Sequence, residues 1–283
     1  MTIVECPRDA MQGLAHFIPT TDKIRYLQKL LAVGFDVLDC GSFVSPKAIP
    51  QMRDTAEVLA ALDLGNPATA TQLLTIVANQ RGAEQALSFP QISFLGYPLS
   101  VSETFQQRNT NRSIADALAD VAAIQQGCQE TGKTLVVYLS MGFGNPYGDP
   151  YSPALVAQLA EKLADLGVHI ISLADTVGSA VPKDIRELFE TLIPQYPHIS
   201  FGAHLHSTPE ATLDKVIAAY EAGCRRFDGA LRGFGGCPMA KDDLVGNVAT
   251  ERMLPYFEQK GAVLTIDPDA LNEAMLMSAA LMP

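Results

Sequence analysis

The sequence predicts a single (β/α)8 TIM barrel spanning residues 1–283. Its length suits one such barrel, which needs about 250 residues. Short β-rich apolar runs alternate with longer amphipathic segments, and polar residues collect where the runs end. Hydrophobic residues at 48% and charged residues at 18% provide one sizeable core and give no sign of disorder.

Strands are predicted at Thr2–Glu5, Val37–Cys40, Gln72–Val77, Gln91–Leu95, Thr134–Leu139, Ile170–Ala174, Ser200–His204 and Arg226–Gly229. Helical patterns lie between them at Asp22–Val33, Ser113–Thr131, Ser152–Leu166, Pro182–Ile193 and Pro209–Ala222. Thr21 and Ser113 are candidate caps, because a hydroxyl can accept from the free N–H groups of a first turn. Pro153 and Pro182 suit that first turn, and Gly34, Gly132, Gly167 and Gly223 follow helix ends. Eight strands alternating with helices imply a parallel sheet, and eight is the number that closes a barrel. An open doubly wound sheet would carry a glycine fingerprint after an early strand. The nearest segment, Gly142-Phe143-Gly144, lacks that spacing and leads into a Pro-rich loop.

A barrel of this kind does its chemistry at the carboxyl ends of its strands. Arg8 and Asp9 follow the first run, and Asp39, Gly41 and Ser42 close the second. Asn79, Tyr97, Ser140 and Asp175-Thr176 follow the third to sixth, His204 and His206 end the seventh, and Gly233–Pro238 follows the eighth. One mouth is expected to gather them all.

The net charge of −11 argues against a nucleic-acid binder, whose affinity rests on neutralising phosphates. A local basic patch could still receive an anionic substrate. No stretch reaches the length of a membrane span, and no secretory leader is evident. The five cysteines, Cys6, Cys40, Cys128, Cys224 and Cys237, are odd in number and lack a CxxC pair, which suits free thiols in a reducing cytoplasm. A cytoplasmic enzyme with no nucleic-acid or membrane partner is expected, as a homodimer or other homo-oligomer.

Four constellations carry chemistry. His204-Leu205-His206 has period two, so on a strand both imidazoles share a face and, with a carboxylate from another strand, could hold a divalent metal. A structural pair of hydrogen-bonded histidines is the competing reading. Two of the chain's five histidines at one strand end favour metal. Arg8 and Asp9, stiffened by Pro7, could be a surface ion pair. At a barrel mouth they instead offer a metal carboxylate and a permanent cation for a developing enolate. Gly233-Phe234-Gly235-Gly236-Cys237-Pro238 reads as a lid delivering one thiol, and the other four cysteines read as packing residues. Gly246-Asn247-Val248-Ala249-Thr250-Glu251 looks like a helix start with Asn247 near the cap.

These segments resemble the 3-hydroxy-3-methylglutaryl-CoA lyase family of the DRE-TIM metallolyases. The resemblance runs through Val4–Gly13, Gly41–Met52, Ile171–Gly178, His204–Glu210, Gly233–Pro238 and Gly246–Glu251. It implies that Asp9, His204, His206 and Asn247 ligate Mg2+ or Mn2+, that Arg8 stabilises the reacting oxygen and that Cys237 transfers a proton. Asp39 then stands where the family has an assisting glutamate. Ala10 and Ser207 replace a family glycine and aspartate. The implied reaction is metal-dependent cleavage of 3-hydroxy-3-methylglutaryl-CoA to acetoacetate and acetyl-CoA, with Asp9 or His204 as base. A related acyl-CoA lyase with a different 3-hydroxy-acyl group and a synthase joining acetyl-CoA to a 2-oxo acid are the alternatives. An aldolase acting without CoA and a non-catalytic CoA-ester binder are further ones. Arg8→Gln is expected to lower turnover with little effect on stability.

Overall fold

The computed structural model describes residues 1–65, 71–236 and 245–282. Eight parallel strands, β1 (Thr2–Glu5), β2 (Val37–Phe43), β3 (Gln72–Val77), β4 (Ile92–Ser100), β5 (Thr134–Ser140), β6 (Ile170–Asp175), β7 (Ser200–Ser207) and β8 (Arg226–Gly229), pair in chain order. The β1–β8 and β6–β7 pairings close the barrel. A two-residue strand, β9 (Gly246–Asn247), adds to β7 in antiparallel fashion. The predicted fold class is the one observed.

Alternation along each strand divides the apolar residues between two layers. Val4, Cys6, Val37, Leu74, Val136 and Tyr138 fill the barrel itself. The larger core, including Ile3, Leu38, Leu73, Leu95 and Phe227, lies between strands and helices. No helix among the described residues is long and apolar enough to cross a membrane.

Ser113 caps its helix by accepting from Asp116 N–H, and Pro153 and Pro182 open theirs. Gly132 ends the helix that Ser113 opens and Gly34 ends another, with φ of 69° and 87°, a left-handed conformation that glycine adopts without a Cβ penalty. Thr21 is not a cap. That helix runs Thr20–Val33 behind Pro19, and the Thr20 hydroxyl donates instead to Asp54. Strands β2, β4, β5, β6 and β7 extend past their predicted ends because neighbouring strands supply ladder bonds that periodicity does not register. The segment after β1 forms a short helix, Pro7–Gln12, which turns Arg8 and Asp9 back over the barrel.

Strand β1 ends on Glu5, which is fully enclosed and fastens the first strand to the last quarter of the chain. Its Oε1 accepts the Leu231 N–H at 2.8 Å and its Oε2 the Thr250 hydroxyl at 2.5 Å. Burial raises this carboxyl from 4.5 to about 8 against those two bonds. A carboxyl raised in the folded state holds its proton longer there than in the unfolded chain. Its contribution is therefore most favourable below the unfolded value of 4.5 and declines as the pH climbs through 8. Glu5→Gln copies the protonated form, accepting from Leu231 and donating to Thr250. Urea denaturation at about pH 5 and about pH 8.5 should show the parent losing more stability than the variant, by at least about 1.4 kcal/mol, the worth of one pKa unit. Parallel losses in the two proteins would rule out Glu5 as the titrating group.

Candidate active site

The carboxyl end of the barrel gathers side chains from β2, β5, β7, β8, β9 and the helix Pro7–Gln12. Period two in β7 puts His204 and His206 on the inner face, their ring centroids 5.3 Å apart. His206 Nδ1 lies 3.0 Å from the Thr176 carbonyl, which can only accept, so the ring proton sits on Nδ1. His206 Nε2 is then an unprotonated acceptor. It is buried, has no hydrogen-bond partner among the described residues, and faces Asp9 Oδ2 at 4.0 Å. One ligand atom each from Asp9, His204 and His206 lie within 4.8 Å of one another.

Asp9 is held by three donors. Arg8 Nη1 reaches its Oδ1 at 3.0 Å, Gln12 Nε2 the same oxygen at 2.6 Å, and Asn247 Nδ2 its Oδ2 at 2.7 Å. Burial alone would push this carboxyl up, but Arg8, then His204 and His206, bring it down to about 2. It remains an anion under all ordinary conditions. Two acceptors facing each other across a buried gap repel unless a cation lies between them. The donor set, one carboxylate and two imidazole nitrogens, fits a divalent metal ion.

Arg8 is clamped on its other side by Asp39. Its Nε lies 3.2 and 3.0 Å from the two carboxylate oxygens, and its Nη2 is 2.6 Å from Oδ2. Burial drives Asp39 up to about 6 against the pull of Arg8, which leaves it charged at neutral pH. Burial also opposes the Arg8 charge, but the two neighbouring carboxylates more than restore it. The ion pair is enclosed, so losing Arg8 would strand a buried carboxylate, a loss that typically costs about 3–5 kcal/mol. The expectation that Arg8→Gln spares stability fails for this reason.

A register shift between Asp39 and Gly41 shapes the mouth. Strict alternation would put Asp39 and Ser42 on opposite faces. The bulge lets Asp39 meet Arg8 while Ser42 still lines the cavity. That cavity, of about 410 Å³, extends from Arg8, Asp9 and the histidines toward Ile49, Phe105, Arg108 and Asn111.

His204 is set differently from its neighbour. Its Nδ1 lies 3.2 Å from Asp228 Oδ2, and Tyr138 meets its ring edge-on with centroids 5.5 Å apart. Burial would lower its pKa, but the bond and charge of Asp228, then the charge of Asp9, raise it. His206 is lowered, first by burial and then by His204. Cys6, expected as a packing residue, lies in the inner core but also has its thiol within 4.8 Å of ligand atoms of His204 and Asp228.

Ser140 and Thr176 line the cavity as expected. Asn79 also lines it and caps the helix Gln80–Leu87, accepting from Gly82 N–H at 2.9 Å. Tyr97 and Asp175 do not join the mouth. Tyr97 is fully buried in the outer core, and Asp175 pairs with Lys215 at 2.7 Å. Asn247 does not cap a helix. It lies in β9 paired with His206, and the following helix starts at Thr250 behind Ala249. Its Nδ2 also donates to the Phe234 carbonyl at 2.8 Å, while Gly235, at φ 101°, packs so closely that a Cβ would come 2.5 Å from that nitrogen. Cys237 lies outside the described residues. The reading of the sequence noted the Gln12 amide beside Arg8 and Asp9 without giving it a role, and it missed Tyr138 and Asp228. Only the period-two spacing of Arg226 and Asp228 on a short strand could have signalled the last.

His206→Ala should weaken Mn2+ binding by at least about tenfold, since even indirect supporters of a metal site cost that much. Electron paramagnetic resonance of free Mn2+ reads the affinity, and unchanged binding in the variant would remove His206 from the site.

The model of the HMGL-like family matches residues 3–277. The hydroxymethylglutaryl-CoA lyase of Bacillus subtilis is 34% identical over 89% of this chain and 83% of its own. The (R)-citramalyl-CoA lyase of Chloroflexus aurantiacus is 32% identical over 97% of this chain and 88% of its own. The structure of an HMG-CoA lyase from A. baumannii, in complex with coenzyme A and 3-methylmalate, superposes with a TM-score of 0.90 at 34% identity. It covers 99% of this chain and 90% of that one.

Proposed function

The chain belongs to the HMGL-like family, and on that premise we propose that it is a carbon–carbon lyase cleaving 3-hydroxy-3-methylglutaryl-CoA to acetoacetate and acetyl-CoA. The observation that carries this reading is the buried pair of facing acceptors, His206 Nε2 and Asp9 Oδ2, set beside the charged Arg8 at the end of a cavity. Asp9, His204 and His206 would hold a divalent cation, Mg2+ or Mn2+, and Asn247, whose Nδ2 here donates to Asp9, would become a fourth ligand by turning its amide oxygen to the site. When bound, that ion supplies Lewis-acid polarisation of the substrate oxygens.

The chain's own groups do the rest. Asp9 takes the proton of the C3 hydroxyl, because His204 has both nitrogens committed, Nδ1 to Asp228 and Nε2 to the cation. The C2–C3 bond breaks, the C3 oxygen becomes the ketone of acetoacetate, and the bonding pair passes into the thioester as an enolate. Arg8 faces that oxygen with a charge it cannot lose, and Asp39 holds the guanidinium in place. Cys237 returns a proton to the enolate carbon. The lyase reading is preferred to a condensing synthase because the relatives above, alike over most of their length, are lyases.

Incubation with 3-hydroxy-3-methylglutaryl-CoA and Mg2+ should yield acetoacetate, and chelation should abolish it. No acetoacetate under either condition, or cleavage of citramalyl-CoA alone, would overturn the substrate assignment. Arg8→Lys keeps the buried charge but loses the planar fork. Its turnover should fall by roughly a hundredfold or more, about 3 kcal/mol of transition-state stabilisation, with a melting temperature nearer the parent's than that of Arg8→Gln. Turnover near the parent value would take Arg8 out of the mechanism.

A further inference from the structure

Beneath the three cation-facing groups, the barrel carries polar side chains that a purely structural interior would replace with aliphatic ones. Asp228 stands in register beside His204 on the adjacent strand, β8, and is only 2% exposed. Its Oδ2 is 3.2 Å from His204 Nδ1. Its Oδ1 has no partner among the described residues, and neither do Nε and Nη2 of Arg226, two positions earlier on the same face. Enclosing a carboxylate with one oxygen unpaired is costly, and a fold gains nothing from it that valine at that place would not supply.

What the carboxylate does supply is a proton position. A carboxylate only accepts, so it keeps the imidazole proton on Nδ1 and leaves Nε2 of His204 as a lone pair. With the proton on the other nitrogen, an N–H would point at Asp9 and His206, where a cation is to be held. His206 gets the same tautomer from the Thr176 backbone carbonyl, which no substitution removes. For His204 the choice of tautomer rests on one side chain.

We propose that Asp228 is a positioning residue, holding His204 as the Nδ1–H tautomer with Nε2 presented to the cluster of Asp9 and His206. The proposal builds on the metal-dependent lyase reading, and its first readout needs neither metal nor substrate. The chain has five histidines. Nitrogen NMR of protein labelled only at histidine, with His204 assigned from His204→Gln, therefore reports the tautomer directly. Three proteins suffice: the parent, Asp228→Asn, which keeps an acceptor but no charge, and Asp228→Val, which fills the space with neither.

At alkaline pH the parent should show His204 protonated on Nδ1, Asp228→Asn should retain that tautomer, and Asp228→Val should lose it. Mn2+ affinity should fall in the same order, a few-fold in the asparagine variant and about ten- to a hundredfold in the valine variant. In the valine variant kcat should fall while KM for the acyl-CoA stays within about twofold, and melting temperatures should stay together. An Nε2–H tautomer in the parent would overturn the proposal. So would an unchanged tautomer and Mn2+ affinity in Asp228→Val, or losses that merely track the melting temperature. A parent with the expected tautomer and Mn2+ affinity but no acetoacetate would overturn the substrate reading and leave the role of Asp228 standing.

Discussion

His206 Nε2 and Asp9 Oδ2 face each other at 4.0 Å in a buried place, and neither carries a proton to offer the other. Left alone, that arrangement is repulsive, and much of the carboxyl end of the barrel exists to enforce it. The Thr176 carbonyl accepts the only N–H of His206. Arg8, Gln12 and Asn247 converge on Asp9 and fix its carboxylate, leaving it no reason to turn away. A divalent cation held there, as proposed, would turn that repulsion into attraction.

The local charge agrees. Asp9, Asp39 and Asp228 bring three carboxylates into the upper barrel, against the guanidiniums of Arg8 and Arg226. Arg8 serves both sides of the balance. It lowers Asp9 to about 2, and its fork is saturated along one edge by Asp39, so its charge is aimed at the cavity by a rigid partner. An aspartate in place of a glutamate at that position still reaches Arg8 at 2.6 Å, because the bulge after it tucks β2 against the short helix Pro7–Gln12. The shorter side chain changes the contact without breaking it.

Closure of the barrel is what lets distant sequence meet. The pairing of β1 with β8 sets Asp9 close to Asn247, and the antiparallel addition of β9 sets Asn247 directly across from His206. Glu5, the last residue of β1, fastens the same seam to Leu231 and Thr250. The seam is therefore both a structural joint and one wall of the site. Substitutions there will act on stability and on chemistry together.

The amino-acid sequence by itself determined the eight strands, their alternation with helices and the common face of His204 and His206, because each of these is a periodicity of one short segment. It also identified Arg8, Asp9 and Asp39, whose types and placement just past apolar runs are local signals. The tertiary structure alone decided which acceptors those residues face. Asp228 became the partner of His204 through the register of β7 against β8, and Ser42 shares a mouth with Asp39 through a bulge that alternation forbids. Asn247 reads locally as a helix cap but pairs with a strand, while Tyr97 and Asp175 face the helical layer instead of the cavity. The physical reason is common to all of them. Propensity and period are set by bonds along the chain, whereas register, bulges and hydrogen-bond partners are set by the competing ladder of the next strand, which the sequence places up to hundreds of residues away.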